Sequence, residues 1–180
     1  MEKTHMQRLV LASMLASLSG VIKIMFQVTT LSDYRFSLYE IPLIIAGIVL
    51  GPGFGAVSGF ASDWIYSTNF GYGFNLMTVS SVMWGFIPGL LLHRRHFSLL
   101  RTMIVIIITA IVSFSINSVQ LGLWFGWLAM LGNVPIRLGI LIISLPIQGY
   151  LVHHMYHRVV IPSGYLEGIE MRKHKPIEEQ

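Results

Sequence analysis

The chain has 180 residues, 54% of them apolar and only 11% charged, with a mean hydropathy of +0.68. Soluble globular domains carry about 25% charge, so this chain cannot cover a water-facing surface, and a soluble enzyme and a disordered chain are both excluded. There are no cysteines, which removes disulfides, thiolate metal sites, a catalytic thiol and cysteine-linked lipid from consideration. The length is that of a single domain.

Apolar runs recur along the whole chain, so the expected fold is all-α, a polytopic membrane protein forming one integral domain over residues 1–180. The first run, Leu9 to Gln27, carries Lys23 near its far end. No small-x-small cleavage site leads from it into a soluble region, so it reads as a first span rather than a signal peptide. Tyr39 to Leu50 is apolar but short, and it stops at Gly51-Pro52-Gly53, a turn no helix easily runs through. Phe54 to Tyr66 is a second short segment and holds Asp63. Phe74 to Leu92, Thr102 to Leu123 and Val134 to Tyr156 are full length, the last with Pro135 expected in its first turn. The reading is a six-helix bundle with two short central helices, which line a cavity because their backbone ends need polar partners.

Six crossings place nine of the twelve Lys and Arg residues on one side, together with all seven histidines. The positive-inside rule then makes both termini cytoplasmic and puts loops 28–38, 67–73 and 124–133 outside. Residues from about 160 to 180 form a short, mixed-charge cytoplasmic tail. The net charge of +4 is mostly this topology signal and needs no nucleic acid to explain it.

Four features stand out. Ala12, Ala16 and Gly20 are spaced by four and form a smooth stripe that another helix can approach closely, either within the chain or on a separate membrane subunit. Lys23, Asp63, Asn75, Asn117, Gln120 and Arg137 are polar groups at or near membrane depth on the outer half. An ionisable group there costs at least about 2.5–3.5 kcal/mol, so each should face a cavity, a partner or the interface. Lys23 and Arg137 can snorkel; Asp63 is too short to, and either pairs with Lys23, Arg35 or Arg137 or meets a ligand donor. Trp64, Tyr66, Phe70, Tyr72, Phe74, Trp124, Phe125 and Trp127 cluster on the same side, either as an interface belt or as stacking surfaces for a flat heterocycle. His153, His154 and His157 sit at the cytoplasmic boundary without a nearby acid or cysteine, so no metal site is expected. No HExxH, GxSxG or Walker A lysine occurs, which argues against an enzyme and against ATP hydrolysis by this chain.

The stretch Leu43-x-x-Ala46-Gly47-x-x-Leu50-Gly51-Pro52-x-x-Gly55-x-x-x-Gly59-x-x-x-Asp63 resembles the second and third helices of the substrate-binding S components of energy-coupling factor (ECF) vitamin transporters, most closely the folate type. Tyr72-x-Phe74, Asn117-Ser118, Pro135-x-Arg137 and Leu145-Pro146 continue the likeness over roughly residues 9 to 155. A lysine usual after the arginine and a tryptophan usual after the asparagine are absent here, where Leu138-Gly139-Ile140-Leu141 and Val119-Gln120 stand.

The resemblance implies high-affinity vitamin uptake in a bacterial cell membrane. Folate is the first expectation; pantothenate, riboflavin, cobalamin or a thiamine precursor are the alternatives. A membrane-embedded enzyme and a haem-anchoring subunit are more distant ones. It implies partnership with a transmembrane coupling subunit and two ATPase subunits, and no cofactor. Arg35 and Arg137 would attract carboxylate or phosphate, Asp63, Asn75 and Asn117 would meet ring edges, and Trp64, Tyr72, Phe74 and Trp124 would stack. Ala12, Ala16 and Gly20 would dock the coupling subunit.

Overall fold

A computed structural model describes residues 2–29, 38–71, 73–93 and 98–160. Arg35 and Tyr72, two of the expected ligand residues, lie outside the described residues, as does the tail beyond residue 160. Six α-helices follow in order: α1 (Glu2–Thr29), α2 (Glu40–Leu50), α3 (Pro52–Phe70), α4 (Leu76–Leu92), α5 (Leu99–Phe125) and α6 (Trp127–Met155), the last running into a π-helical turn, Tyr156–Val160. The described residues contain no strand. Stretches within α1, α5 and α6 are long and apolar enough to cross a membrane, at 21, 27 and 32 residues, the last continuing to Arg158.

The central element is α2. Its apolar residues run all round the helix, and every one of its 11 residues is buried, as a helix enclosed by other helices requires. It packs against α1, α3, α4 and, at one end, α6. At 1.5 Å per residue it is only about 16 Å long, roughly half of a bilayer core of about 30 Å. From the Gly51 turn, α2 therefore reaches only about half-way through such a core.

Gly51, at φ 98°, makes the turn that no Cβ-bearing residue would readily make, and Pro52 starts α3 where its missing N–H costs nothing. The Nδ1 of His93 lies 2.8 Å from the Ile48 carbonyl, meeting an acceptor that the end of α2 leaves open.

Three boundaries differ from the sequence reading. The segment expected over Phe54–Tyr66 is a 19-residue helix, so α4, at 17 residues, is the second shorter one. Thr68 and Asn69 donate back to the Trp64 and Ile65 carbonyls at 2.7–3.0 Å, which carries α3 past the point where its apolar pattern stops. The outer loop expected over 124–133 shrinks to a turn at Gly126, at φ 86°, and α6 resumes at once. Pro135 consequently lies inside α6 rather than in its first turn.

Outward faces are mostly apolar: Leu9, Val10, Met14, Leu18 and Val21 on α1, Ile104, Ile108 and Ile111 on α5, and Leu128, Ile142 and Ile143 on α6 are all exposed. Contiguous exposed apolar surface on this scale belongs against lipid. Inside, α2, α3 and α4 meet through glycines. A Cβ placed on Gly47 would come within 2.9 Å of the Gly89 backbone nitrogen, and one on Gly85 within 3.0 Å of the Gly55 Cα. Such approaches maximise dispersion contact where burial from water contributes nothing.

The small-residue stripe on α1 belongs to the same kind of seam. Ala12, Ala16 and Gly20 are buried, the Ser58 hydroxyl of α3 donates to the Ala12 carbonyl at 3.2 Å, and a Cβ on Gly20 would touch Ile65 at 3.2 Å. At Ala12 and Gly20 the neighbour of this stripe is therefore α3 of the same chain.

Candidate functional site: the bundle half away from the Gly51 turn

Two polar centres lie in the half of the bundle away from the Gly51 turn. In the first, Lys23 of α1 forms a buried ion pair with Asp63 of α3. Around it, Thr78 donates to Asp63 Oδ2 at 2.5 Å, Ser67 to the same oxygen at 3.4 Å and Ser81 to Oδ1 at 3.3 Å. The Lys23 ammonium also donates to Ser81 Oγ at 3.1 Å and lies 5.0 and 4.7 Å from the ring centroids of Tyr39 and Tyr66. Both charges are thus compensated by opposite charge, hydroxyls and aromatic faces, as buried charge must be. The centre ties α1, α3 and α4 to the residue that leads into α2. Lys23 therefore does not snorkel, and of the partners open to Asp63 in the sequence it is Lys23 that the structure supplies. The carboxylate is engaged in holding helices together rather than presented to a ring edge.

Asn75 is likewise occupied. It is the N-cap of α4: its Oδ1 accepts from the Met77 N–H at 2.8 Å, and its own N–H donates to Thr78 Oγ1 at 3.3 Å, closing a capping box. In this structure the Asn75 side chain, expected to meet a ring edge, caps α4. Replacing it by alanine should cost about 1 kcal/mol of stability. Asn75→Ala should accordingly lower the melting midpoint by a few degrees and leave ligand affinity within about twofold; a tenfold loss of affinity with unchanged melting would return Asn75 to the binding site.

The aromatic expectation divides. Trp64 and Phe74 are exposed and pack with Phe60, with Phe60 and Phe74 stacked at 5.3 Å and Trp64 against Phe74 at 4.8 Å. Helical geometry explains this, because Trp64 is rotated about 100° from Asp63, away from the buried face that carries Ser58, Ser62, Asp63, Tyr66 and Ser67. These two residues form an outward patch of the interface-belt kind and do not face the bundle axis. Trp124, also exposed, sits at the end of α5 with Phe125 edge-on at 6.4 Å. Tyr66 points inward to Lys23 instead.

The second centre lies between α5 and α6. The guanidinium of Arg137 is 4.7 Å from the Phe114 ring centroid, and its Nη1 donates to Ser118 Oγ at 3.1 Å. Phe114, Asn117 and Ser118 follow the i, i+3, i+4 spacing of one helix face. Asn117 Oδ1 is buried and has no hydrogen-bond partner among the described residues. A buried acceptor left unsatisfied costs about 1–3 kcal/mol, so such groups are retained where something else completes them. Beside them a polar seam fixes α4 on α5: Gln120 accepts from the Leu76 N–H at 3.0 Å, and Trp84 Nε1 donates to Ser113 Oγ at 2.9 Å.

One buried acid escaped the sequence reading. Glu40 opens α2, is only 5% exposed, and accepts at Oε2 from Gln148 Nε2 of α6 at 2.7 Å. The signal was present: an acidic residue next to an apolar run, at a membrane-depth helix start. It was hidden by standing second in the segment read over Tyr39 to Leu50, where the apolar residues that follow outweigh it.

The described helices form a bundle of apolar helices around a short, fully buried central one, the architecture of an integral membrane subunit. The chain matches the family of ECF transporter substrate-specific components over residues 7–169 and belongs to it. It is therefore a transporter's substrate-binding subunit and not an enzyme, and it works with the transmembrane and ATPase subunits of an ECF module. Its fold is that of a solved structure described as FolT bound with folic acid. The TM-score is 0.66 at 18% identity, with 86% of this chain and 94% of that one covered. No curated protein matches.

Proposed function

We propose that this subunit captures a vitamin from outside the cell, folate first among the candidates, with both termini in the cytoplasm of a bacterial host. The observation that carries the reading is the Arg137 centre: an aromatic-backed guanidinium beside Asn117 Oδ1, a buried acceptor with no partner among the described residues. A cation and a waiting acceptor on adjacent surfaces suit a ligand that brings a carboxylate and a donor together. The fold shared with a folate-bound protein supports the same ligand class. The orientation is supported by the nine of twelve cationic residues that fall on one side of the six crossings.

Titration of folic acid into the purified chain tests this. Arg137→Ala should weaken binding by about tenfold or more, because a charge-assisted hydrogen bond contributes roughly 1.5–3 kcal/mol and each 1.4 kcal/mol is a factor of ten. Unchanged affinity in a folded variant would mean that Arg137 only anchors α6 on α5.

A further inference from the structure

We propose that the groove between α4 and α5, at the end of the bundle that holds the Gly51 turn, binds one anionic phospholipid, its phosphate on Arg101 and an acyl chain laid along Ile104 and Ile108. The end is fixed by His93, which closes α4 and whose Nδ1 meets the Ile48 carbonyl. The groove has a volume of about 560 Å³. Leu91 of α4, half-buried, and Val105 of α5, buried, form its floor, while Ile104 and Ile108 stand exposed at its side. Arg101, Ile104, Val105 and Ile108 follow the i, i+3, i+4, i+7 spacing of one helix face, so the cation and the apolar track make a single stripe. From Ser98 at the mouth to Ile108 the chain advances about 15 Å at 1.5 Å per residue, the depth of one leaflet of a bilayer core of about 30 Å.

Charge selects the occupant. Arg101 is exposed and is in no ion pair among the described residues. The helices packed on α5 offer it no acid: from Trp64 to Leu166 the sequence has neither Asp nor Glu, so α4, α5 and α6 carry no carboxylate at all. A cation in the first turn of α5 also opposes the helix dipole, which favours an anion there. A phosphate at this point gives the guanidinium its counter-charge and meets the positive end of the helix as well. The apolar track beside the cation distinguishes a lipid phosphate from a dissolved one, which would leave that track unused. A zwitterionic headgroup brings its own cation and gains less than an anionic one. The proposal is independent of which solute the subunit carries.

The test is native mass spectrometry of the full chain released from nanodiscs of equal parts phosphatidylglycerol and phosphatidylcholine with matched acyl chains. The expected result is one retained lipid per chain, with phosphatidylglycerol preferred by about fivefold, the gain that one basic group makes at an anionic surface. Arg101→Gln should abolish the preference. Ile104→Trp fills the groove, keeps the charge and should release the lipid. Both side chains are exposed, so melting midpoints should stay at the wild-type value. Arg158→Gln removes the same charge from an exposed position at the end of α6 and should leave the lipid in place. Equal retention of the two lipids overturns the proposal. So does an equal loss in Arg158→Gln, which would mean diffuse attraction of a basic surface, and so does full retention in Ile104→Trp, which would mean that the groove does not hold the chain.

Discussion

Asp63→Ala is expected to leave little folded protein in the membrane. It strips the Lys23 ammonium of its counter-charge while Ser81, Tyr39 and Tyr66 keep it enclosed. Removing one partner of a buried pair costs about 3–5 kcal/mol, a large share of a domain stability of about 5–15 kcal/mol. Lys23→Met should be comparably damaging, since it isolates the carboxylate among three hydroxyls. The double variant Lys23→Met/Asp63→Leu removes both charges and should recover most of the loss, because apolar side chains of similar size often replace a buried pair without penalty. Size-exclusion profiles and melting midpoints of the four proteins form a double-mutant cycle. A double variant no better than the worse single one would show that the network does more than compensate charge, and wild-type behaviour in either single variant would place the pair in contact with water.

The second large effect is expected at Gly85. There α4 crosses α3 so closely that an added Cβ would fall on the Gly55 carbonyl group and within 3.0 Å of its Cα. Backbone, unlike a side chain, cannot turn to another rotamer. Overpacking usually costs about 1–3 kcal/mol, and Gly85→Leu belongs at or beyond the upper end, since the two helices must separate. The same separation would pull α4 from α2, where Gly89 and Gly47 are equally close. Gly132→Ala on α6 is the matched control, because nothing lies within 4 Å of its added Cβ. It should be neutral or gain up to about 1 kcal/mol from better helix propensity. Expression and thermal melting of the two variants decide this; a Gly85→Leu protein as stable as Gly132→Ala would mean that the three-helix seam is looser than its geometry.

Much of the fold was legible because hydrocarbon punishes ambiguity: a span must be apolar. Gly51-Pro52 marked the inner turn of α2 for the reasons that φ 98° and a helix-starting proline make plain. The outer helix ends were misjudged because side chains and single glycines decide them: Thr68 and Asn69 prolong α3, and Gly126 alone separates α5 from α6. Arg137 and Asn117 were singled out by chemistry and depth, and Arg137 meets Phe114 and Ser118 on the helix that carries Asn117. Asp63 was correctly singled out as unable to reach water, but only the packing of α1 on α3 reveals that Lys23 is the group it meets. Trp64 shows the limit of neighbourhood in sequence, because adjacent residues on a helix point 100° apart. Ala12, Ala16 and Gly20 show that a small-residue stripe announces a close helix contact without saying whose helix it is.

The central claim, that this chain by itself holds one vitamin molecule, is tested most directly by native mass spectrometry. The chain would be produced without any ECF partner in cells supplied with folic acid and released from nanodiscs. The account predicts a 20.2 kDa protein carrying a single adduct of folate mass, retained in Asn75→Ala and lost in Arg137→Ala. A chain released with no small-molecule adduct under the same conditions, and with none after incubation in excess folic acid, riboflavin or pantothenate, would contradict it.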